Sequence, residues 1–425
     1  MKLVPIKDKK ILLGVTGSIA IYKACELARL FIKSQAFVKV VMTPSAKEFI
    51  SPLTFEALTR QKVLTKESED WSSNLNHIDY AKWADIFIIA PATANSINKL
   101  SKGIADNLLL QSALAFNKPL IIAPAANTNM FLNPITQGSL KMLKVNDAII
   151  VEPQKKLLAC NDEGVGALAD VWEIYYKSLR ELLKDPFWVN RKVVVTGGGT
   201  IEKIDEVRYI SNFSSGKMGK ALALALYLKG AEVCYITTRD SDDLPKDIYT
   251  IKVESALEML DYLNDCLRSA KKGVLSKASL NNPKPIELIK KKPFLFMAAA
   301  VADYRPKFSQ EGKLKKSILG DEWDLKLIKN PDLLKSIDKE GIITVAFKAE
   351  MDSKNGLENA KKALKEKGVD AVCYNLLKGS ESFGEDHNKI TFITKDKEIE
   401  FERSDKLLLA FKIIEAAKEL EKSSE

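Results

Sequence analysis

The sequence predicts an α/β protein made of two doubly wound domains, each a mainly parallel sheet with helices on both faces. Three observations carry this expectation. Short β-branched runs alternate with helix-length amphipathic stretches, the alternation occurs twice, and each series starts with a strand running into glycines, "ILLGVTGS" and "VVVTGGGT". The 425 residues, 46% hydrophobic and 28% charged, are enough for two cores of ordinary size.

In the first series, apolar runs at 11–15, 37–42, 85–90, 119–123 and 148–151 read as strands, with helices such as 18–33 and 104–116 between them. The second begins at 192, with strands expected at 192–196, 231–237, 294–300, 342–347 and 369–374 and helices near 216–229, 254–270, 353–367 and 403–421. The join is "LLKDPFWVNRK", where Pro186 stops a helix and Asn190-Arg191 lead into a new strand, so the expected domains are 1–187 and 188–425. The lysine-rich stretch 271–292 reads as a surface excursion without chemistry of its own.

Composition narrows the function classes. A formal charge of +9, from 65 basic and 56 acidic residues, favours anionic small molecules, and no aromatic-interleaved basic stripe points to nucleic acid. The apolar run after Met1 is too short and too charged for a signal peptide or a membrane span. Five scattered cysteines, Cys25, Cys160, Cys234, Cys266 and Cys373, without a Cys-x-x-Cys, fit a reduced, cytoplasmic chain lacking a structural zinc site.

Both glycine strand ends invite a test for phosphate loops. In the first, Gly14 and Gly17 allow a tight turn and Ser18 can cap a helix whose N–H groups face an anion; an ordinary strand-to-helix turn reads the same way. In the second, a Walker A loop fails, because Ser211 and Met218 stand where Gly and Ser/Thr are needed. A dinucleotide fingerprint fails too, since the helix starts near Ser215, well after Gly199. Instead, Gly197–Gly199 and Ser214–Gly216 are expected to face one crevice, with the intervening loop carrying Arg208 and Asn212.

The motifs "GVTGSIAIYK", "APATANSINKLSKGIADNLL", "APAANTNM" and "LLACNDEGVG" resemble the flavin-dependent phosphopantothenoylcysteine decarboxylases. "VTGGGT", "VRYISNFSSGKMG", "AAAVADYRP", "KLKK", "KNPD" and "FGEDHN" resemble phosphopantothenate–cysteine ligase, in the order of the bifunctional enzyme of coenzyme A biosynthesis. The resemblance covers nearly the whole chain. It implies a flavodoxin-like or Rossmann-like flavoprotein domain followed by a Rossmann-like ligase domain. It further implies FMN in the first, CTP with Mg2+ in the second, the small-molecule substrates 4'-phosphopantothenate and cysteine, and a homo-oligomer.

In the first domain the resemblance assigns the FMN phosphate and ring to Gly14, Gly17, Ser18, Thr43, Ser45, Thr93 and Asn95, and the decarboxylation to His77, Asn127 and Cys160. Cys160 matches the proton donor; a thiol with a pKa of about 8.5 is protonated at neutral pH and can give that proton up. Its polar, glycine-containing surroundings are unlike a core element, and the resemblance implies that they form a flap over the substrate. In the second domain it assigns Asn212 and Arg208 to the acyl intermediate and Lys313 to the nucleotide and activated phosphate. Ala300, Asp303, Pro331, Asp332, Leu333, Leu334, Phe347 and Lys367 are assigned to the CTP pocket. Four positions depart from the pattern: Ala126, Asn161 and Ala167 in the first domain and Ala363 in the second. Two other readings stand beside this one: a nicotinamide-dependent oxidoreductase reading ribose with Arg239 or Asp240, and a non-catalytic flavin-binding regulator.

Overall fold

A computed structural model describes residues 1–157, 163–315, 320–352, 354–377 and 384–422. The chain divides into two compact units, Met1–Leu183 with Lys277–Ile286, and Lys184–Ser276 with Glu287–Glu425.

In the first unit the strands β1 (Lys10–Val15), β2 (Phe37–Met42), β3 (Val63–Leu64), β4 (Ile86–Ala92), β5 (Leu120–Pro124) and β6 (Ile149–Ile150) form one parallel sheet ordered β3-β2-β1-β4-β5-β6. Covering both faces of a parallel sheet requires strands that are apolar on both sides, and β4 is buried along its whole length. This order is that of the Rossmann doubly wound fold, not the flavodoxin order. Helices begin where an Asn, Ser or Thr side chain accepts a first-turn N–H: Ser51, Asn76, Thr93, Asn107 and Asn133 all do so. The helix expected over 104–116 is only Leu108–Leu114, and the cap at Asn107 sets its start. The helix expected over 18–33 begins as a 3-10 turn, Ile19–Ile21, before the α-helix Tyr22–Lys33. Two antiparallel strands follow the sheet, β7 (Gln154–Leu157) and β8 (Glu163–Ala167).

The second unit starts with β9 (Lys192–Gly197) and then makes a short antiparallel arm of β10 (Ile201–Lys203) and β11 (Tyr209–Ser211). The strands β12 (Glu232–Thr237) and β13 (Tyr249–Lys252) come next, and the 271–292 stretch forms the small ladder β14 (Val274–Leu275) with β15 (Leu288–Ile289). Then follow β16 (Phe294–Met297), the pair β17 (Tyr304–Pro306) and β18 (Leu327–Lys329), β19 (Ile343–Glu350), β20 (Ala371–Leu376), β21 (His387–Thr394) and β22 (Glu398–Asp405). The main sheet is ordered β13-β12-β9-β16-β19-β20-β21-β22, parallel except for its last two strands. Those two are half-exposed and charged, so their pattern lacks the apolar run that marks the parallel strands. The helix expected from 403 starts at Lys406, because Asp405 ends β22 and accepts the Leu407 N–H.

The Ala/Leu helix Lys217–Leu228 packs between this sheet and the helix Lys406–Ala417, and every residue from Ala221 to Leu228 is buried. Its start lies directly on the end of β9. A Cβ on Gly219 would stand 2.8 Å from the Thr196 carbonyl oxygen, and one on Gly216 would stand 3.3 Å from the Gly198 Cα. Gly198 itself has φ +88, and a Cβ there would stand 2.2 Å from Thr238 Oγ1, which is held by a 2.7 Å hydrogen bond to the Gly199 carbonyl. Gly198→Ala therefore combines the left-handed penalty of about 1–2 kcal/mol with an overlap costing about 1–3 kcal/mol. Gly312, at φ +70 with nothing within 4 Å of the added atom, bears only the first. Urea unfolding of the full chain should show a larger loss for Gly198→Ala than for Gly312→Ala; equal losses would mean that the β9 end is not tightly packed.

Among the described residues, no helix is long and apolar enough to cross a membrane.

Candidate active sites

In an open α/β sheet, loops diverge where the strand order reverses, and ligands bind there at the carboxyl ends of the strands. In the first unit that point lies between β1 and β4. Gly17 lets the loops after β1 and β2 touch, since a Cβ would stand 2.7 Å from Ser45 Cβ and Oγ. The Thr43 N–H donates to the Val15 carbonyl at 3.1 Å, and the Thr43 and Ser45 hydroxyls are 3.3 Å apart. Ser18 Oγ accepts from the Ala20 N–H at 3.3 Å and caps the 3-10 turn. Thr93 caps the helix Ala94–Ser101, whose first turn exposes Asn95. Gly14 has a different role from the turn expected of it: it is buried in β1, where a Cβ would stand 2.9 Å from Phe87 Cε2 and 3.1 Å from Leu109 Cδ1.

The residue that joins these loops is Thr16, which sequence reasoning missed. Its hydroxyl donates to the Pro91 carbonyl at 2.7 Å and accepts from the Thr93 N–H at 3.0 Å. The signal was the threonine between the two glycines of "GVTGS". The structure thus gathers Gly17, Ser18, Thr43, Ser45, Thr93 and Asn95 along one edge of three neighbouring strands.

Asn127 follows β5, which runs beside β4, and the Ala125 N–H donates to the Ala92 carbonyl at 2.9 Å, bringing this loop next to Thr93. Asn127 Oδ1 accepts the Asn129 N–H at 2.9 Å and caps a short helix. The β7–β8 pair is seated on the same loop. The Ala126 N–H donates to the Gly166 carbonyl at 3.0 Å, and a Cβ on Gly164 would stand 2.1 Å from Thr128 Oγ1. At Ala126 the departure from the family pattern therefore falls in a backbone contact with β8, and Ala167 ends β8 opposite Gln154. Cys160 and Asn161 lie outside the described residues, between these two strands.

His77 opens the helix His77–Trp83, capped by Asn76. Its Nδ1 is 3.0 Å from Glu69 Oε1, and the Trp71 ring meets it edge-on at 5.4 Å between centroids. Glu69 and Trp71 fix the orientation of the ring; neither was singled out from sequence, where they lie in an uncapped polar stretch.

In the second unit the order reverses between β9 and β16, and a cleft of about 180 Å3 opens there. It is lined by Ser214–Gly216, Ala300 and Phe347, and also by Asn375, Asn388 and Lys406 from the far strands, while Gly197–Gly199, expected to face it, are not among its lining residues. Lys217 links the two sides: its ammonium reaches Asp386 Oδ1 and the Gly384 carbonyl, both at 2.7 Å, tying "SSGKMG" to "FGEDHN". Asp303, Lys313, Asp332 and Lys367 are not among the residues that line it.

The glycines after β9 accommodate the arm. A Cβ on Gly199 would stand 2.7 Å from the Asn212 carbonyl oxygen. The Asn212 amide donates to the Ala300 and Val301 carbonyls at 3.3 and 3.1 Å, so the arm is fastened to the loop after β16. Arg208 faces Asp205: Nε and Nη2 donate to its Oδ2 at 3.0 and 2.5 Å, and Nη2 also donates to the Leu314 carbonyl at 3.1 Å. Asp205 further accepts the backbone N–H groups of Val207, Arg208 and Leu314. The Arg208 guanidinium and these N–H groups hold the Asp205 carboxyl well below the usual carboxylate range. A lowered carboxylate stabilises above its ordinary pKa and loses that contribution only as pH falls through the lower value, so the clamp is intact at neutral and mildly acidic pH. Its effect is to fix the backbone next to Lys313, whose side chain is exposed.

Beside it, "AAAVADYRP" and "KNPD" are laced together. Buried Asn330 donates to the Ala302 carbonyl at 2.8 Å and accepts from Arg305 Nη1 at 2.8 Å, and its N–H donates to the Asp303 carbonyl. Asp332 follows Pro331, caps the helix Leu333–Ser336 and pairs with Lys367 at 3.7 Å. Leu333 and Leu334 sit in the hydrophobic core, so any contact of theirs with a nucleotide would run through backbone atoms. Ala363 places only its carbonyl near Lys367, accepting that residue's N–H. Arg239, weighed as a ribose reader, instead donates from Nη2 to the Ser214 carbonyl at 3.2 Å, and Asp240 pairs with Lys252.

Comparison with known proteins follows the same division. Residues 3–183 match a family described as flavoprotein, and residues 188–420 one described as DNA/pantothenate metabolism flavoprotein C-terminal domain. Proteins described as "Coenzyme A biosynthesis bifunctional protein CoaBC" are similar along nearly their whole length. The one from Haemophilus influenzae is 37% identical, over 96% of this chain and 97% of its own. That from Bacillus subtilis is 36% identical, over 99% of both chains. Borreliella burgdorferi has one that is 34% identical, over 96% of this chain and 98% of its own. Among solved structures, a mutant PPC decarboxylase complexed with pantothenoylaminoethenethiol is 35% identical over 40% of this chain and 97% of its own, with a TM-score of 0.38.

Proposed function

The chain belongs to the family of bifunctional coenzyme A biosynthesis proteins, carrying a flavoprotein decarboxylase and a ligase, and from that premise we propose how its residues divide the work. Ligation resides in 188–425 and decarboxylation in 1–187. CTP and 4'-phosphopantothenate meet at the β9–β16 crevice. The carboxylate attacks the α-phosphorus, pyrophosphate leaves, and the acyl-CMP so formed is attacked by the amine of cysteine, with CMP leaving. Lys313 opposes the negative charge on the α-phosphate, Arg208 steadies the anionic intermediate, and Asn212 turns an amide N–H from a carbonyl to the acyl oxygen. The observation that supports this reading is the clamp by which Asp205 and Arg208 grip the backbone beside Lys313, on the arm that Asn212 fastens to the loop after β16. Asp303, Asp332 and Lys367 are proposed to hold the nucleotide. Among the described residues no group of three or more His, Cys, Asp or Glu could hold a metal, so Mg2+ is proposed to arrive on the triphosphate.

For the first unit we propose FMN. The β1–β4 edge offers Gly17, Ser18 and the N-terminus of the Ala94–Ser101 helix, a donor set suited to one phosphate, with the hydroxyls of Thr43, Ser45 and Thr93 beside it. When bound, FMN supplies the two-electron oxidation that makes the substrate's sulfur end an electron sink, and then returns those electrons. Asn127 orients the carboxylate for departure, Cys160 delivers the final proton, and His77, held by Glu69, stands as the remaining polar group of the site. A homo-oligomer and a cytoplasmic place of action belong to the same proposal, on the family resemblance.

Two measurements on the purified chain check this. Flavin released by heating should be FMN, and recovery of FAD would refute the single-phosphate site. With 4'-phosphopantothenate, cysteine and CTP, pyrophosphate, CMP and CO2 should appear in equal amounts; turnover with ATP but not CTP would overturn the nucleotide assignment.

A further inference from the structure

Cys234 lies on β12 and Cys266 on the helix Ala256–Ala270 packed against that strand. Their Sγ atoms are 3.0 Å apart, although 32 residues separate them in sequence and no spacing motif announces the pair. Both thiols are partly exposed and line a cavity of about 500 Å3, together with Lys192, Glu232, Tyr249 and Asp265. The cavity flanks the amino-terminal half of β12, whereas the ligase cleft lies at the carboxyl ends of the strands, so the pair is not part of that site.

Two thiols in contact have three chemistries open to them. As inert packing they would be sealed from solvent, and these are not. As metal ligands they need further donors, and among the described residues no cluster of three or more His, Cys, Asp or Glu could hold an ion. As a redox pair they need only approach, and a disulfide, at about 2.04 Å, lies about 1 Å inside the observed separation. The hydrogen bond from Cys234 pulls the Cys266 thiol down, while that bond and burial push Cys234 up, so Cys266 is the first to ionise.

We propose that Cys234 and Cys266 are a reversible disulfide site, closed by peroxides and reopened by dithiols. The Cys266 thiolate attacks a peroxide oxygen, the O–O bond breaks, and the leaving hydroxide takes up a proton to become water, leaving a sulfenic acid on Cys266. The Cys234 sulfur then attacks that sulfur and gives up its proton; the S–O bond breaks and a second water leaves as the S–S bond forms. Two thiols are oxidised by two electrons, and one hydrogen peroxide is reduced to two waters. A dithiol reverses the result by exchange, ending as a disulfide itself.

The test uses the full chain. It is treated with one equivalent of hydrogen peroxide, free thiols are blocked with iodoacetamide, and the unreduced digest is examined by mass spectrometry. The peptides containing Cys234 and Cys266 should be joined, two hydrogens lighter than the reduced pair, while Cys25 and Cys373 remain single. Dithiothreitol before blocking should restore both thiols. Phenylarsine oxide, which bridges neighbouring thiols, should bind the reduced pair and prevent closure without any change of sequence. Alkylation of both residues after peroxide, oxidation of either to sulfinic acid without a link, or a link only between two chains would each overturn the proposal.

Discussion

Lys313→Gln should suppress acyl-CMP formation, lowering pyrophosphate release from CTP and 4'-phosphopantothenate by about 100- to 1,000-fold. The loss comes early in the reaction, because the charge facing the α-phosphate is gone before the anhydride exists. The fold should survive. Lys313 is exposed, and the neighbouring backbone is held by Asp205 and Arg208 rather than by the lysine itself. Pyrophosphate measured without cysteine isolates this step. Normal release from the variant would move the assigned role elsewhere in the crevice.

Cys160→Ser should leave CO2 loss running while the last protonation stalls, since a serine hydroxyl is a far weaker acid than a thiol. An oxidised enethiol product, two hydrogens short of 4'-phosphopantetheine, should then accumulate and be seen by mass spectrometry. The β7–β8 strands, between which Cys160 falls in the sequence, are seated on the Asn127 loop by the Ala126–Gly166 hydrogen bond. Full turnover by the variant would make Cys160 a structural residue.

The parallel strands were legible because burial on both faces writes uninterrupted apolar runs, as in β4 and β9. What the sequence concealed has three physical causes. The antiparallel edge strands β21 and β22 are half-exposed and carry no such run. The glycines of "VTGGGT" signalled close approach without saying of what: a helix start at Gly216 and the arm at Asn212. Partnerships between distant residues leave no local pattern, so Asp205 beneath Arg208, Thr16 between two loops and Cys234 against Cys266 emerge only once the chain is folded. The candidate residues themselves came from motif resemblance. Most stand at the strand ends, where an open sheet places ligands, while Gly14 is closely packed in β1 and the Leu333 and Leu334 side chains are in the core.

The claim that acyl-CMP is handled where the arm meets the glycine strand end is tested most directly by Asn212→Asp. Its amide donates to the Ala300 and Val301 carbonyls, and a carboxylate of nearly the same shape would present acceptors to acceptors and a negative charge to the oxyanion formed as cysteine attacks. Losing one such donor costs about 3 kcal/mol, a slowing of roughly 100-fold. The purified variant is incubated with 4'-phosphopantothenate, CTP and Mg2+, its acyl-CMP is quantified, and cysteine is then added while the decay is followed. Acyl-CMP should reach the wild-type level and then disappear about 100-fold more slowly; a variant that makes no acyl-CMP, or passes it to cysteine at the wild-type rate, would contradict the assignment.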